Sequence, residues 1–226
     1  MNLKWSLTLL FLLVKYVDAL NNRPIIAILA QDAPPDYKRS YIAASYVKYL
    51  EASGARVVPI PSHFSSDKVE EIFNGVNGVL FPGGGIKWYT SGYYKHAKYF
   101  VQKAIETKNA GGYFPVWGTC LGFQTLNVII GGGISVLGDF SASDLSIPLN
   151  YTRGVLHSRM FQHMDSTLLE ALEFEDITYN NHIKGITPEM YTKVKELNRF
   201  FNILSLNNDI NGKTFVSTIE GKRRKF

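Results

Sequence analysis

Cysteine is almost missing from this sequence: among 226 residues there is one, Cys120. A lone cysteine excludes a framework of intramolecular disulfides, and leaves the thiol to be either a small buried hydrophobe or a reactive nucleophile. Charge is sparse as well, at 19% of residues against 46% hydrophobic, which excludes a disordered polyelectrolyte and reads as globular. The formal net charge of +5 dissolves on inspection, because Lys4, Lys15 and Asp18 contribute +1 and Lys222, Arg223, Arg224 and Lys225 contribute +4. The body is near neutral, has no basic stripe with interleaved aromatics, and is not expected to bind nucleic acid. The apolar run from Leu7 to Val14 is far shorter than the roughly 20 residues of a spanning helix. Preceded by Lys4 and followed by Val17-Asp18-Ala19, it reads as a secretory signal peptide over residues 1–19, with no membrane association expected after cleavage. Neither an internal repeat nor a low-complexity linker divides the rest, so residues 20–226 are expected to form one domain.

What is present alternates. Pro24 to Ala30 is a continuous apolar run of the kind found in a strand buried on both faces of a parallel sheet. The pattern then predicts a helix over 41–52 closed by Gly54, a strand over 56–60, a short helix over 67–73 and a strand over 76–81. A helix over 93–108, a strand over 113–117 and a helix over 121–130 follow. Such alternation implies an α/β domain with a mainly parallel sheet flanked by helices. The second half is less regular. Strands are expected near 146–149, 201–206 and 214–219, the last two forming a hairpin through the polar turn Asn207 to Gly212.

The informative segment is Val116-Trp117-Gly118-Thr119-Cys120-Leu121-Gly122-Phe123-Gln124, where a short strand passes through G-x-C-x-G into a helix. A nucleophile on so sharp a turn is crowded by its second neighbours, which explains glycine at both. At a helix N-terminus the aligned peptide dipoles and free amides favour negative charge on sulfur, and the Leu121 amide points to where an oxyanion develops in acyl transfer. The loop Phe81-Pro82-Gly83-Gly84-Gly85 can bring bare backbone to the other side of that oxyanion, so Gly83 or Gly84 is a candidate second donor. His63, His96, His163 and His182 sit in polar stretches and are expected at the surface.

At these residues the sequence resembles the gamma-glutamyl hydrolases. The strings Arg23-Pro24-Ile25-Ile26, Tyr41 to Glu51, Phe81-Pro82-Gly83-Gly84, Phe114 to Phe123 and Leu156-His157-Ser158-Arg159-Met160-Phe161 carry the resemblance, which runs from about Arg23 to about Gly221. It implies a class I glutamine amidotransferase-like (flavodoxin-like) fold and hydrolysis of gamma-glutamyl bonds in folylpoly-gamma-glutamates and antifolate polyglutamates through an acyl-enzyme. Cys120 matches the family nucleophile and His157 a histidine lining the substrate site, while Arg159 is placed to meet a glutamate carboxylate. No metal and no cofactor are implied, and a homodimer is compatible with the resemblance. Asn150-Tyr151-Thr152 is a glycosylation sequon at Asn150, in keeping with secretion or a lysosomal or vacuolar location. The family's general-base histidine follows a strand just past the position of Glu220-Gly221, where this sequence reads Lys222 to Phe226. The domain is therefore expected to be incomplete at its C-terminus and slow in hydrolysis. The alternative is a secreted homologue that binds without catalysis; a glutamine amidotransferase delivering ammonia to a cytosolic synthase fits poorly with a signal peptide.

Overall fold

The run after Arg23 forms strand β1 (Ile25–Leu29), whose Ala27, Ile28 and Leu29 are fully buried. The structure, a computed structural model, describes residues 23–32, 40–85 and 88–222; the expected signal peptide and the residues after Lys222 lie outside the described residues. β2 (Gln31–Asp32) and β3 (Ser40–Tyr41) make a small antiparallel pair, after which helix α1 (Ala44–Ala52) leads to β4 (Arg56–Ile60). Helix α2 (Ser66–Gly75) is capped by the Ser65 side chain and precedes β5 (Gly78–Phe81). Helix α3 (Gly92–Asn109), β6 (Val116–Gly118) and helix α4 (Leu121–Gly131) complete the first half. β1 pairs in parallel with β4 and β5, and β5 with β6, giving the order β4-β1-β5-β6. The chain moves from β1 to one side and then crosses to the other, so the topology reverses beside β1. That reversal opens a crevice at the carboxyl ends of the strands.

Helix α3 lies on the sheet because its buried residues Tyr93, His96, Ala97, Phe100, Val101 and Ala104 recur at helical spacing along one stripe. Burying a side chain such as Phe100 contributes about 1.5 to 3 kcal/mol. His96 corrects an expectation: instead of reaching solvent it is 2% exposed, its Nε2 donating to the Phe64 carbonyl at 3.1 Å. A histidine on the apolar stripe of a helix follows the helix period, whatever the polarity of its sequence neighbours.

The second half is antiparallel. β7 (Gly138–Ile147) pairs with β9 (Thr178–Gly185) in a long ribbon, bulged between Ala142 and Leu145, where Asp144 takes φ 52°. The strand expected over 146–149 is the tail of this element, which ends at Ile147 before Pro148. β8 (Asn150–Tyr151), the three-residue 3₁₀ turn Val155–His157 and helix α5 (Ser166–Phe174) lie between the ribbon strands. Helices α6 (Pro188–Lys193) and α7 (Lys195–Phe200) then lead into the hairpin β10 (Phe201–Asn208) and β11 (Thr214–Gly221). Its turn is organised by the Asp209 carboxylate, which accepts from the Asn211 and Lys213 amides at 2.9 Å and from Ser141 N of β7 at 2.8 Å. Both halves share one core, in which Ile186, Tyr191, Leu197, Phe200 and Val216 join Leu29, Phe81, Phe100 and Leu126.

The junction between α4 and β5 is tight. A Cβ built on Gly122 would stand 2.0 Å from the Phe81 carbonyl oxygen, and one on Gly118 2.6 Å from the Gly122 carbonyl. No side chain fits there. Gly122→Ala is expected to destabilise the fold by about 3 kcal/mol, at the upper end for overpacking. Gly85→Ala, with nothing within 4 Å, should be nearly neutral; urea melts of the two variants check this.

Burial lowers the pKa of His96, aided by Lys95 and His63 and opposed by its bond to Phe64 and by Asp32. The folded state therefore holds the neutral ring, and its stabilising effect is present above the unfolded pKa of about 6.5 and is lost as pH falls toward the folded value. Urea melts between pH 7.5 and 5 should show stability falling with acidity, less steeply in His96→Gln.

Candidate active site

Three segments meet at the carboxyl ends of neighbouring parallel strands: Gln31 beyond β1, Pro82-Gly83-Gly84 beyond β5, and Cys120 beyond β6. Cys120 occupies the N-cap position of α4 with φ 52° and ψ −108°, a conformation that non-glycine residues rarely adopt and that costs on the order of 1 to 3 kcal/mol. The turn is pinned on both sides, since Thr119 N donates to the Phe81 carbonyl at 3.0 Å and Gln124 N to the Cys120 carbonyl at 3.0 Å. The thiol is exposed. Leu121 is the first residue of the helix, where an amide has no acceptor within the helix.

The glycine loop lies directly against this elbow. A Cβ on Gly83 would be 3.0 Å from Cys120 Cβ and 2.6 Å from the Tyr46 hydroxyl. The peptide units around Gly83 are clamped by side chains from three elements. Tyr46 Oη accepts from Gly83 N at 2.8 Å, Gln31 Nε2 donates to the Gly83 carbonyl, and Tyr93 Oη donates to the Pro82 carbonyl at 2.9 Å. The Gly83 amide, expected as a free oxyanion donor, is thus already donated to a tyrosine. Gly84 faces Gln31, whose Oε1 would lie 1.7 Å from an added Cβ. Burial raises the Tyr46 pKa, opposed by the Gly83 hydrogen bond and reinforced by Cys120.

Cys120 opens onto a groove of about 660 Å³, within the usual range for small-molecule sites. Its apolar wall includes Tyr113, Trp117, Phe123, Met160 and Phe161, and its polar lining includes Gln124, Arg159, His182, Lys184 and Glu220. Trp117 is 43% exposed and its indole Nε1 donates to Thr119 Oγ1 at 3.2 Å. Gln124, one helical turn after Cys120, donates to the Lys184 carbonyl at 2.9 Å and so joins α4 to β9.

The histidines are distributed differently from the sequence expectation. His157 is exposed on the 3₁₀ turn and lines a neighbouring cavity of about 490 Å³ with Gly154, Ser158 and Lys222. Val155 and Phe161 anchor that turn in a satellite core with Leu204, and His157 is not among the residues that line the Cys120 groove. His182 of β9 lines the groove instead. Its ring packs at 4.9 Å from Phe215 and 6.5 Å from Phe140, and burial lowers its pKa, so it stays neutral near pH 7. His182 was missed because its proximity depends on the ribbon, which local sequence pattern did not reveal. Arg159 borders both cavities; its Nη2 donates to the Gly221 carbonyl at 2.8 Å and its Nε lies 3.9 Å from Glu220. Asn150 is exposed on β8, next in sequence to Leu149, which lines the groove. Tyr46 and Gln31 were also missed as site residues, although a polar side chain at the end of a parallel strand, as in Gln31, is a signal that could have found one of them.

Comparison with known proteins places this arrangement. The chain is 44% identical over 205 residues to gamma-glutamyl hydrolase of Mus musculus, covering 89% of this chain and 64% of that protein. It is 45% identical over 204 residues to gamma-glutamyl hydrolase of Homo sapiens, covering 88% and 63%, and 38% identical over 214 residues to gamma-glutamyl hydrolase B of Dictyostelium discoideum, covering 92% and 62%. The chain therefore spans a little under two thirds of the length of these relatives. In fold it is similar to the glutaminase domain of Trypanosoma brucei CTPS, solved with bound acivicin, with a TM-score of 0.55 at 12% identity over 87% of this chain and 80% of that one. The mainly parallel sheet with flanking helices is accordingly of the class I glutamine amidotransferase type. Residues 24–139, half of the chain, match the peptidase C26 family, and with the elbow, the glycine loop and the sheet that carries both, the chain belongs to that family.

Proposed function

We propose that this chain hydrolyses gamma-glutamyl amide bonds, with Cys120 as nucleophile. The observation that supports this most is the exposed Cys120 at φ 52° on the first turn of α4, opening onto the groove and touching the Gly83 loop. Strained, accessible and over-determined by its neighbours, such a cysteine is placed for attack and not for packing. Its sulfur adds to the gamma-carbonyl carbon and the Leu121 amide faces the oxygen that gains charge. The C–N bond then breaks, the amine leaves with a proton, and water hydrolyses the thioester. The groove suits a substrate with an aromatic body and an acidic chain. Trp117, Tyr113 and Phe123 offer flat apolar surface, while Arg159 and Lys184, paired with Glu220 and Asp139, are the cations at its border that an acidic chain could compete for. Folylpoly-gamma-glutamates have this character, and the relatives named gamma-glutamyl hydrolase support the bond type.

Iodoacetamide at neutral pH should place one carbamidomethyl group on Cys120, read by peptide mass. Cys120→Ser should bring release of glutamate from a pteroyl di-gamma-glutamate down to the uncatalysed background, removing whatever rate the unaltered chain shows above it. A thiol inert to the reagent, or hydrolysis indifferent to the substitution, would overturn the proposal. Alkylation slowed by the substrate without any turnover would instead support a homologue that binds and does not cleave.

The exposed Asn150 supports N-glycosylation and passage through the secretory pathway. Thr152, the third residue of the sequon, donates its hydroxyl to the Ile203 carbonyl at 2.7 Å, so the acceptor site is reached most easily before β10 pairs. Expression in a eukaryotic secretory host should yield a glycan-bearing band that collapses on glycosidase treatment and is absent in Asn150→Gln.

A further inference from the structure

The Gly83 amide, the backbone group best placed opposite Leu121, does not face the groove with a free hydrogen; it donates to the Tyr46 hydroxyl at 2.8 Å. That hydroxyl and the Cys120 side chain both flank the Gly83 α-carbon, where an added Cβ would stand 2.6 Å from Tyr46 Oη and 3.0 Å from Cys120 Cβ. A phenol both accepts and donates. Here the accepting side is filled by Gly83, and among the described residues no acceptor is assigned to the phenolic hydrogen. The loop is also held so that the arrangement persists, because Gln31 bonds the Gly83 carbonyl and Tyr93 the Pro82 carbonyl.

We infer that Tyr46 is a catalytic residue of the Cys120 site, its hydroxyl donating the hydrogen bond to the developing oxyanion opposite the Leu121 amide. The inference rests on the acyl-transfer reading of Cys120. Gly83 acts through the phenol: by donating to the Tyr46 oxygen it polarises the O–H and makes it a stronger donor, as chained hydrogen bonds do in a low-dielectric setting. Because burial and the neighbouring sulfur raise the Tyr46 pKa, the phenol keeps its proton at working pH and has one to donate. Tyr46 lies in the first turn of α1, with β4, α2, β5, α3 and β6 between it and Cys120 in sequence, and α1 packs along β4.

The test compares two reagents that consume the same sulfur. With p-nitrophenyl acetate the Cys120 sulfur bonds to the acyl carbon through an oxyanion. The ester C–O bond then breaks, p-nitrophenolate departs with the electron pair, and the thiol proton passes to solvent. With iodoacetamide the sulfur displaces iodide at a saturated carbon and no oxyanion forms. In Tyr46→Phe, single-turnover acylation, corrected for the background in Cys120→Ser, should fall about 10-fold or more, since losing an oxyanion donor costs up to about 10²–10³. Alkylation should stay within about twofold of the unaltered chain, and a urea melt coincident with that of the unaltered chain shows that the variant is folded. Acylation unchanged, or falling in step with alkylation, would overturn the assignment while leaving the nucleophile reading intact. Acylation that rises would overturn it too, showing that the hydroxyl plugs the oxyanion site. A Cys120 that resists iodoacetamide in the unaltered chain would overturn the acyl-transfer reading, and this inference with it.

Discussion

The approach of α4 to β5 is so close that backbone touches backbone: at Gly122 the helix meets the Phe81 carbonyl with room for a hydrogen and nothing larger. Everything at the candidate site follows from that contact. With the helix this near, Thr119 can donate to Phe81, and the second of the two residues between strand end and helix start must turn with φ 52°. That residue is Cys120. A looser junction would let the backbone relax into an ordinary conformation and would lower the sulfur away from the groove. The strain at Cys120 is offset by helix packing, since Leu121, Thr125 and Val128 of α4 are buried in the same core that holds the sheet.

The same contact brings two glycine-bearing loops together. Phe81 ends β5 and is followed at once by Pro82-Gly83-Gly84, so anchoring α4 on Phe81 also sets Cys120 beside Gly83. Left alone, a glycine-rich loop would sample many conformations. Here the Gly83 amide and the Gly83 and Pro82 carbonyls, beside Cys120, have the side-chain partners Tyr46, Gln31 and Tyr93, and the three arrive from α1, β2 and α3. Partners from separate elements make the loop a rigid wall, and rigidity is what electrostatic stabilisation of a transition state needs, because dipoles already in place lose nothing in reorientation.

The antiparallel second half serves the site by enclosing it. The β7–β9 ribbon carries His182 and Lys184 to the groove, and β11 brings Glu220 beside Arg159. Gln124 ties this wall to the nucleophile's own helix through the Lys184 carbonyl. Asp209, with three backbone amides on its carboxylate, fixes the hairpin turn to β7 and holds the two antiparallel pieces in register. Lowered by these bonds, Ser141's foremost, its pKa keeps it charged and binding as the solution becomes acidic.

The parallel sheet and the elbow were legible in the chain because their signals are local. A continuous apolar run means a strand buried on both faces, and glycines at both second neighbours of a cysteine mean a sharp strand-to-helix turn. β1, β4, β5, α3 and α4 accordingly lie within a few residues of where the pattern placed them. The ribbon was not legible: β7 mixes serine and aspartate with few apolar residues and breaks its alternation at the Asp144 bulge, so its period is blurred. Likewise nothing in the strings around His157 and His182 says which of them reaches the groove, since that depends on how β9 pairs and how Val155 anchors its turn. The amino-acid order by itself determined the sharp turn that carries Cys120 and the class of sheet beneath it, because each depends on steric demands between residues close in the chain. Only the tertiary structure decided that Tyr46 holds the Gly83 amide, that His182 and not His157 lines the groove, and that Arg159 is tied to β11. Those are choices of partner across 25 or more residues, made by packing, and packing is a property of the whole core.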